Sequence, residues 1–391
     1  MPIDIERARR DTPATESILH FNNAGAALMP TPVVQAQLRH LQLEAATGGY
    51  EAAASANNQI EAIYDSIAQL LNADRSEIAL VENATVAWDM AFYSVGFAPG
   101  DRILTAEAEY ASNHIAFLQV AHRTGAVIEV IPSDAAGELD LDALERMIDH
   151  HVKLIAITHV PTNGGLVNPA AAVGRIARAH GILYLLDACQ SVGHMSIDVD
   201  AIGCDMLSAT GRKYLRGPRG TGFLYVRRVI LAQLEPPFLD LQAATWVAPD
   251  RYEIRPDARR FENWERNVAA QLGLGAAVDY ALGWGLTDIA ARINTLAAEL
   301  RRRLAQIPGV SVRDLGRRPC GIVTFTDEAK PARELVAALR QQRMNCHASG
   351  PGSALLDATS RRLPDLLRAS VHYYNTEEEV ARFAAAVAAL V

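Results

Sequence analysis

Cysteine is scarce in this chain, and its scarcity narrows the class of protein. The sequence holds only four cysteines, Cys189, Cys204, Cys320 and Cys346, and they stand far apart. Without a Cys-x-x-Cys pair, the pattern favours neither a zinc site nor a disulfide framework. We therefore expect reduced thiols, which are typical of a cytoplasmic protein.

Excess positive charge and long apolar runs are also missing. Lys and Arg number 37 against 45 Asp and Glu, for a net charge of −8, so neither nucleic acid nor an anionic membrane is the expected partner. No apolar run approaches membrane-spanning length, and residues 1–12 lack the apolar core of a signal peptide. His150-His151 has no further ligand at a metal-binding spacing, so we expect no metal site.

What is present is an alternation of short apolar runs and helical patterns. With 391 residues the chain is too long for one small core, so we expect two domains. Runs that are apolar on both faces and separated by helices predict an α/β fold with a mostly parallel sheet covered on both sides. The predicted strands are Ile78–Val81, Arg102–Thr105, Val127–Ile131, Leu154–Thr158, Ile182–Leu186, Met206–Ala209 and Gly222–Val226.

The pattern changes after Trp264. A long helical period is followed by a smaller α+β pattern that includes predicted strands at Gly321–Thr324 and Arg368–Tyr374. We predict a large domain at 16–266, a connecting helix at 267–307 and a small C-terminal domain at 308–391, which residues 1–30 join.

Asp187 and Lys213 carry the strongest chemical signal. Asp187 ends one buried strand and Lys213 closely follows a later one, so both belong to the rim where α/β sheets bind ligands. An Asp there can keep a pyridine nitrogen protonated, and a Lys can form an imine with an aldehyde and move protons. These are the two groups that a pyridoxal 5′-phosphate (PLP) enzyme requires.

A phosphate site is predicted near them. Ala84 and Thr85 open a predicted helix after a strand, so their N–H groups and the Thr85 hydroxyl could bind an oxyanion. A plain N-cap by Asn83 or Thr85 is the alternative. Thr210 and Arg212, beside the lysine, add a hydroxyl and a guanidinium and strengthen the phosphate interpretation.

Other residues on the same rim suit the rest of the cofactor and an amino-acid substrate. Tyr110 is a candidate for stacking on the ring, although a half-buried loop tyrosine is an equal alternative. Gln190 can hydrogen-bond the ring 3-oxygen, and Thr162 and Asn163 follow another strand. Arg368 could bind the substrate carboxylate with two hydrogen bonds, or form a salt bridge at a strand end.

Several motifs, in order from His20 to the C-terminus, strengthen this interpretation. They are Phe21-Asn-Asn-Ala-Gly-Ala, Glu82-Asn-Ala-Thr, Thr158-His-Val-Pro-Thr-Asn-Gly-Gly, Asp187-Ala-Cys-Gln, Thr210-Gly-Arg-Lys, Arg260-Phe-Glu-Asn-Trp-Glu and Arg368-Ala-Ser. With them the chain resembles the class V aminotransferase-fold PLP enzymes, a group of cysteine desulfurases, selenocysteine lyases and isopenicillin N epimerase-like proteins. The resemblance implies fold type I and a homodimer with active sites at the subunit interface.

The resemblance also implies roles for single residues. Lys213 would form the Schiff base, and Asp187 would pair with the pyridinium. Tyr110 and Arg212 would take positions that desulfurases fill with His. Arg368 would take the substrate carboxylate. By the same resemblance, further residues contribute: Thr85 and Thr210 to phosphate binding, Ala24 and Gly25 to the substrate side, and Trp264-Glu265 near the neighbouring subunit's cofactor.

One departure bears on the reaction. Desulfurases carry a nucleophilic cysteine on a mobile loop before the carboxylate-binding Arg, whereas here Cys346 comes several residues too early and is expected on a strand. Gly48-Gly49-Tyr50-Glu51, Tyr110 and the Gly-Arg-Lys motif also look like hercynylcysteine sulfoxide lyases, which need no such cysteine. We therefore predict a C–S β-lyase that releases pyruvate and ammonia.

Other reactions stay open at this point. Epimerisation and transamination share the removal of the Cα proton, and cysteine desulfuration is a further alternative. A regulatory protein of this fold is disfavoured, because such proteins usually carry an extra DNA-binding domain and no room for one precedes His20.

Overall fold

The computed structural model describes residues 3–391. Within this range the α-helices are, in chain order, α1 (Ile5–Arg10), α2 (Thr31–Thr47), α3 (Gly49–Ser55), α4 (Asn57–Leu71), α5 (Ala84–Tyr93), α6 (Ala111–Thr124), α7 (Leu141–Met147), α8 (Ala170–His180), α9 (Val199–Ile202), α10 (Val268–Trp284), α11 (Leu286–Leu304), α12 (Ala332–Gln341), α13 (Leu355–Ser360) and α14 (Glu377–Ala388).

The strands of the same range fall into one large sheet, one small sheet and two short pairs. They are β1 (Leu19–His20), β2 (Ile78–Val81), β3 (Arg102–Ala106), β4 (Val127–Ile131), β5 (Val152–Thr158), β6 (Leu183–Asp187), β7 (Met206–Thr210), β8 (Gly222–Val226), β9 (Ala244–Ala248), β10 (Arg251–Ile254), β11 (Val310–Val312), β12 (Ile322–Asp327), β13 (Met344–Asn345), β14 (His347–Ser349) and β15 (Leu366–Ser370).

The large sheet has seven strands in the order β2-β8-β7-β6-β5-β3-β4. Strand β8 runs antiparallel to both neighbours, and the other pairings are parallel. All residues of β2, β7 and β8 are buried, as expected for strands with helices on both faces. The predicted mostly parallel α/β fold is confirmed.

Neighbouring residues of the central strands belong to different apolar cores. Leu185 and Met206 pack in one core with Trp88 of α5, whereas Leu186 and Leu207 belong to a second, larger core. Because successive side chains of a strand point to opposite faces, these are the two faces of the sheet. Their packing fixes the register, which in turn aligns the strand ends where the predicted site residues lie.

The C-terminal part of the chain forms a smaller antiparallel sheet in the order β11-β12-β15-β14. The N-terminal part lies against it, because Asn22 bridges to Ser370 of β15. In addition, β1 forms a separate parallel pair with β13. The limits 16–266 and 308–391 stay predictions for the domains.

The helical segment predicted at 267–307 has its weak point at Gly283-Trp284-Gly285, and the structure divides it there into α10 and α11, where Gly285 adopts a positive φ of 85°. One detail of the predicted elements is wrong. The strand predicted at 368–374 ends at Ser370. The Asn375 side chain there accepts the backbone N–H of His372 at 2.8 Å, within a turn that stops the strand.

Across the described part of the chain, each helix is either too short or too polar to cross a membrane.

Candidate active site

The candidate site lies where three parallel strands end. Thr158 of β5 is paired with Asp187 of β6, which in turn is paired with Ser208 of β7. A small cavity opens at this edge. The residues that line it are Ala84, Thr85, Tyr110, Asn113, Thr158, Val160, Thr162, Asp187, Cys189, Gln190 and Lys213.

Asp187 is buried, and both of its carboxylate oxygens accept a hydrogen bond. Oδ1 accepts the backbone N–H of Cys189 at 2.8 Å, and Oδ2 accepts the side-chain amide of Asn113 at 3.0 Å. Donors to the ionised form stabilise a buried carboxylate. The arrangement suits an acid that must stay ionised beside a cationic ring nitrogen.

Lys213 lies in the same cavity wall, three residues after β7 ends. Within residues 3–391 its amine has no hydrogen-bond or salt-bridge partner. Burial lowers the pKa of Lys213, and Arg212 nearby contributes in the same direction, although Cys189 and Asp187 oppose it. A larger neutral fraction makes this amine more reactive as a nucleophile and as a base.

The N-terminus of α5 forms another part of the wall. Asn83 caps this helix, since its side chain accepts the N–H of Val86 at 3.0 Å. The N–H groups of the first helical residues, Ala84 and Thr85, have no carbonyl partner within the helix. The cap and the anion site are therefore compatible, and the helix end suits a phosphate.

Arg368 is a buried cation without a carboxylate partner among the described residues. One guanidinium nitrogen donates to the Thr162 carbonyl and hydroxyl oxygens at 3.1 and 2.8 Å, and Nε is buried without a partner. Burial lowers the pKa of Arg368 to about 10. Such a site is completed by an anion, as the prediction of a substrate carboxylate requires. Thr162 both lines the cavity and holds this arginine.

Two amide side chains also carry unpaired atoms. The Oε1 atom of Gln190 and the Oδ1 atom of Asn163 are buried without a hydrogen bond. The Gln190 nitrogen donates to the Ala24 carbonyl at 3.2 Å, and the Asn163 nitrogen donates to the Ser353 hydroxyl at 3.3 Å. Buried orphan acceptors are costly, so these atoms fit polar groups of a cofactor and a substrate.

Several predicted residues lie beside the cavity rather than in its wall. The Thr210 hydroxyl donates to the Thr221 carbonyl at 3.3 Å, and the Arg212 guanidinium donates to the Gly25 carbonyl. Ala24 contacts Gln190 through its carbonyl. The phosphate role of Thr210 and Arg212 and the substrate role of Ala24 and Gly25 stay predictions.

Two of the four cysteines, Cys346 and Cys189, bear on the reaction and lie in different surroundings. Cys346 is buried in the apolar core between β13 and β14, and burial raises its pKa to about 12. Cys189 lines the cavity, and burial raises its pKa to about 12 as well. Neither environment generates the thiolate that a nucleophilic cysteine needs. The hydroxyls of Ser349 and Ser353, which lie 3.2 Å apart, follow Cys346 in the chain.

The sequence reasoning missed three residues: Asn113, Glu109 and Cys189. Asn113 lines the cavity on the first turn of α6 and Glu109 is buried beneath it. Their signal was an acid and an amide four residues apart around Tyr110, just after a buried strand. Tyr110 itself lines the cavity and is 37% exposed as a residue, so its ring is available for stacking.

Comparisons with known proteins agree with this geometry. A model of the family Aminotransferase class-V matches residues 19–383. A probable cysteine desulfurase from Methanothermobacter thermautotrophicus is 30% identical, over 96% of this chain and 95% of that protein. The apo structure of a cysteine desulfurase from Thermococcus onnurineus NA1 has a TM-score of 0.93 at 28% identity, over 100% of this chain and 98% of that one.

The same fold is found in a protein of another activity. The cystine C–S lyase C-DES, solved in complex with its reaction product cysteine persulfide, has a TM-score of 0.87 at 24% identity. That likeness covers 96% of this chain and 99% of that one and concerns the fold alone.

Proposed function

The chain belongs to the class V aminotransferase family of PLP enzymes, and on that premise we propose that it breaks a C–S bond of a cysteine-derived amino acid by β-elimination. The main support for the proposal is that the described segment 345–367, which precedes Arg368, holds no reactive thiol. Its one cysteine, Cys346, is buried in the core. The group of this segment that accepts a hydrogen bond from Asn163 is the hydroxyl of Ser353.

The cavity fits the cofactor through its unpaired helix N–H groups, its orphan amide oxygen and its unpartnered amine. When bound, PLP supplies an electron sink for the Cα–H bond that breaks. The residues that would hold it are Ala84, Thr85, Tyr110, Thr162, Asp187, Gln190, Thr210, Arg212 and Lys213.

The protein's own groups account for the proton transfers. Arg368 binds the substrate carboxylate and so fixes the orientation of the Cα–H bond. Lys213, whose pKa burial lowers, accepts the Cα proton. Asp187, held by two hydrogen bonds, keeps the ring nitrogen protonated.

The sulfur group then leaves with the electron pair of the Cβ–S bond, and hydrolysis of the three-carbon fragment gives pyruvate and ammonia. No sulfur acceptor on the enzyme is needed. Substrates whose sulfur leaves as a stable anion, such as S-substituted cysteine sulfoxides, are therefore the preferred class.

Cysteine desulfuration is the second candidate, and relatives named as probable cysteine desulfurases favour it. It requires a thiol that attacks the substrate sulfur. Cys189 is the cysteine in the cavity wall, but its raised pKa opposes this role. The geometry therefore supports elimination better than sulfur transfer.

Product analysis tests the proposal. Purified PLP-loaded protein is mixed separately with cysteine and with an S-substituted cysteine sulfoxide in deuterated water. We expect pyruvate and ammonia in equal amounts, with the sulfoxide turned over faster than cysteine.

Other products would overturn the proposal and identify the reaction. Alanine with sulfane sulfur would establish a desulfurase. Deuterium at an inverted Cα, without pyruvate, would establish an epimerase. Conversion of the cofactor to its amine form, with release of a keto acid that retains sulfur, would establish an aminotransferase.

A further inference from the structure

Five hydrogen-bond donors converge on Glu109, a buried residue with no part in the reaction steps above. Its Oε1 atom accepts the N–H of Tyr110 at 2.8 Å, the amide of Asn113 at 2.8 Å and the hydroxyl of Thr158 at 2.5 Å. Its Oε2 atom accepts the hydroxyl of Thr105 and the N–H of Thr158, both at 3.1 Å. Such a set of donors suits an ionised carboxylate.

Asn113 connects this carboxylate to Asp187. One amide nitrogen donates to Glu109 at 2.8 Å and to Asp187 at 3.0 Å. An amide nitrogen has two hydrogens, and both of its partners here are acceptors. The two acids therefore fix the orientation of Asn113, and the Asn113 nitrogen in turn fixes the Asp187 carboxylate.

We propose that Glu109 and Asn113 are positioning residues that hold Asp187 towards the cofactor and, through the charge of Glu109, keep the PLP ring nitrogen protonated. Neither residue needs to touch the reacting atoms. The inference rests on the cofactor and is independent of which reaction follows.

Burial strengthens the electrostatic effect of Glu109 on its neighbours. Glu109 is only 2% exposed, so its charge is poorly screened by water. Burial first, and the nearby charge of Asp187, raise the pKa of Glu109 to about 7, against the effect of the donors. A proton on the ring nitrogen, next to Asp187, offsets this repulsion. Two linked carboxylates thus stabilise the pyridinium more than Asp187 alone would.

A purely structural role makes a different prediction. Glu109 also links the Tyr110 loop to the end of β5, because it accepts hydrogen bonds from the backbone N–H groups of Tyr110 and Thr158. If these hydrogen bonds were its whole function, replacing Glu109 would lower the stability of the protein but leave the protonation of the ring nitrogen unchanged.

The test is nitrogen-15 NMR of PLP labelled at the ring nitrogen and bound to the wild type, Glu109→Gln and Asn113→Ala. The chemical shift of that nitrogen reports its protonation directly and is followed against pH. We expect the proton affinity of the ring nitrogen to fall about 10-fold in Glu109→Gln, and also to fall in Asn113→Ala.

Glu262→Gln is the matched control. Glu262 is 3% exposed and accepts hydrogen bonds from Tyr64 at 2.8 Å, the Leu80 N–H at 2.8 Å and Gln242 at 3.2 Å. None of these hydrogen bonds involves Asp187, and the ion pair of Glu262, at 3.8 Å, is with Arg266. Its substitution should lower the thermal midpoint without changing the nitrogen shift.

A ring-nitrogen titration that matches the wild type in both variants would overturn the proposal. If Glu109→Gln fails to fold, Asn113→Ala decides alone, because it leaves the bonds of Glu109 to Thr105, Thr158 and the Tyr110 N–H in place. An unchanged titration in that variant would be sufficient to reject the role.

Discussion

The reactivity of Lys213 depends on what surrounds its amine. Within the described chain the amine is unpartnered, and burial lowers its pKa. We expect Lys213→Ala to bind PLP non-covalently and to lower kcat at least about 10³-fold, because both the tether and the base are lost. Steady-state assays and the absorption spectrum of bound PLP measure this. Lys153→Ala, at an exposed position of β5, serves as the control. Turnover retained by Lys213→Ala would refute the assignment.

Arg368 is the residue that we expect to bind the substrate carboxylate. Its buried Nε lacks a partner, and within the described residues it has no acidic neighbour. We predict that Arg368→Met raises KM for the amino acid about 10- to 100-fold, since a charge-assisted pair is lost. Arg333→Met, which removes an exposed cation paired with Asp365, should leave KM unchanged. Equal KM values in the two variants would contradict the role of Arg368.

Residue chemistry could be predicted where a side chain follows a strand directly. Asp187 and Lys213 were identifiable because strand ends meet at one rim, and both line the cavity. Glu109 and Asn113 were not identified, because an acid and an amide four residues apart do not by themselves indicate a site. Their role becomes visible only when three-dimensional distances join them to Asp187.

At the scale of elements, the N-terminus of α5 predicts how the phosphate is held. We expect Thr85→Val to weaken PLP binding about 10-fold by removing one hydroxyl donor. Binding of pyridoxal, which lacks the phosphate, should not change. Thr295→Val on α11, whose hydroxyl bonds the Ala291 carbonyl, is the control. Fluorescence titration with PLP and with pyridoxal measures the dissociation constant of each ligand. Equal weakening of pyridoxal binding would contradict a phosphate contact at this helix N-terminus.

Elements were predicted well where packing requires both faces to be apolar. The strands Ile78–Val81 and Gly222–Val226, which are buried throughout, have the predicted limits. The prediction of the last strand failed because a local interaction ends it inside an apolar run, where Asn375 closes the turn after Ser370.

At the scale of the whole molecule, buried histidines predict the response to acid. Burial lowers the pKa of His159 and of His194 to about 4, from about 6.5 in the unfolded chain. The unfolded state therefore binds more protons between pH 6.5 and 4. Each histidine costs about 3 kcal/mol of stability as the pH falls through that window.

Glu109 works in the opposite direction, since its raised pKa favours the folded state on acidification between about pH 7 and 4.5. Other buried histidines and carboxylates also have shifted pKa values, so the effect of one histidine is measured by difference. As the pH is lowered from 6.5 to 4, the thermal midpoint of cofactor-free His194→Gln should fall less than that of the wild type. An identical fall in the variant would contradict the assignment.

Assembly is a further expectation at this scale. The exposed aromatic side chains of Trp246, Tyr252 and Trp264 lie on and after the β9–β10 hairpin. We predict a homodimer of twice 42.3 kDa, in which this surface is buried. Sedimentation equilibrium measures the mass, and Trp246→Ser should weaken the dimer. A monomer at micromolar concentration would contradict the expectation.

The central claim is that the C–S bond breaks without a thiol on the enzyme. Its most direct test is the rate of pyruvate formation from an S-substituted cysteine sulfoxide by the double variant Cys189→Ala, Cys346→Ala, with Cys204→Ala as the control for loss of a buried cysteine. We predict a kcat within about 10-fold of the wild type, because Lys213, Asp187 and Arg368 are intact. Loss of turnover in the folded, PLP-loaded double variant, with sulfane sulfur formed by the wild type, would contradict it.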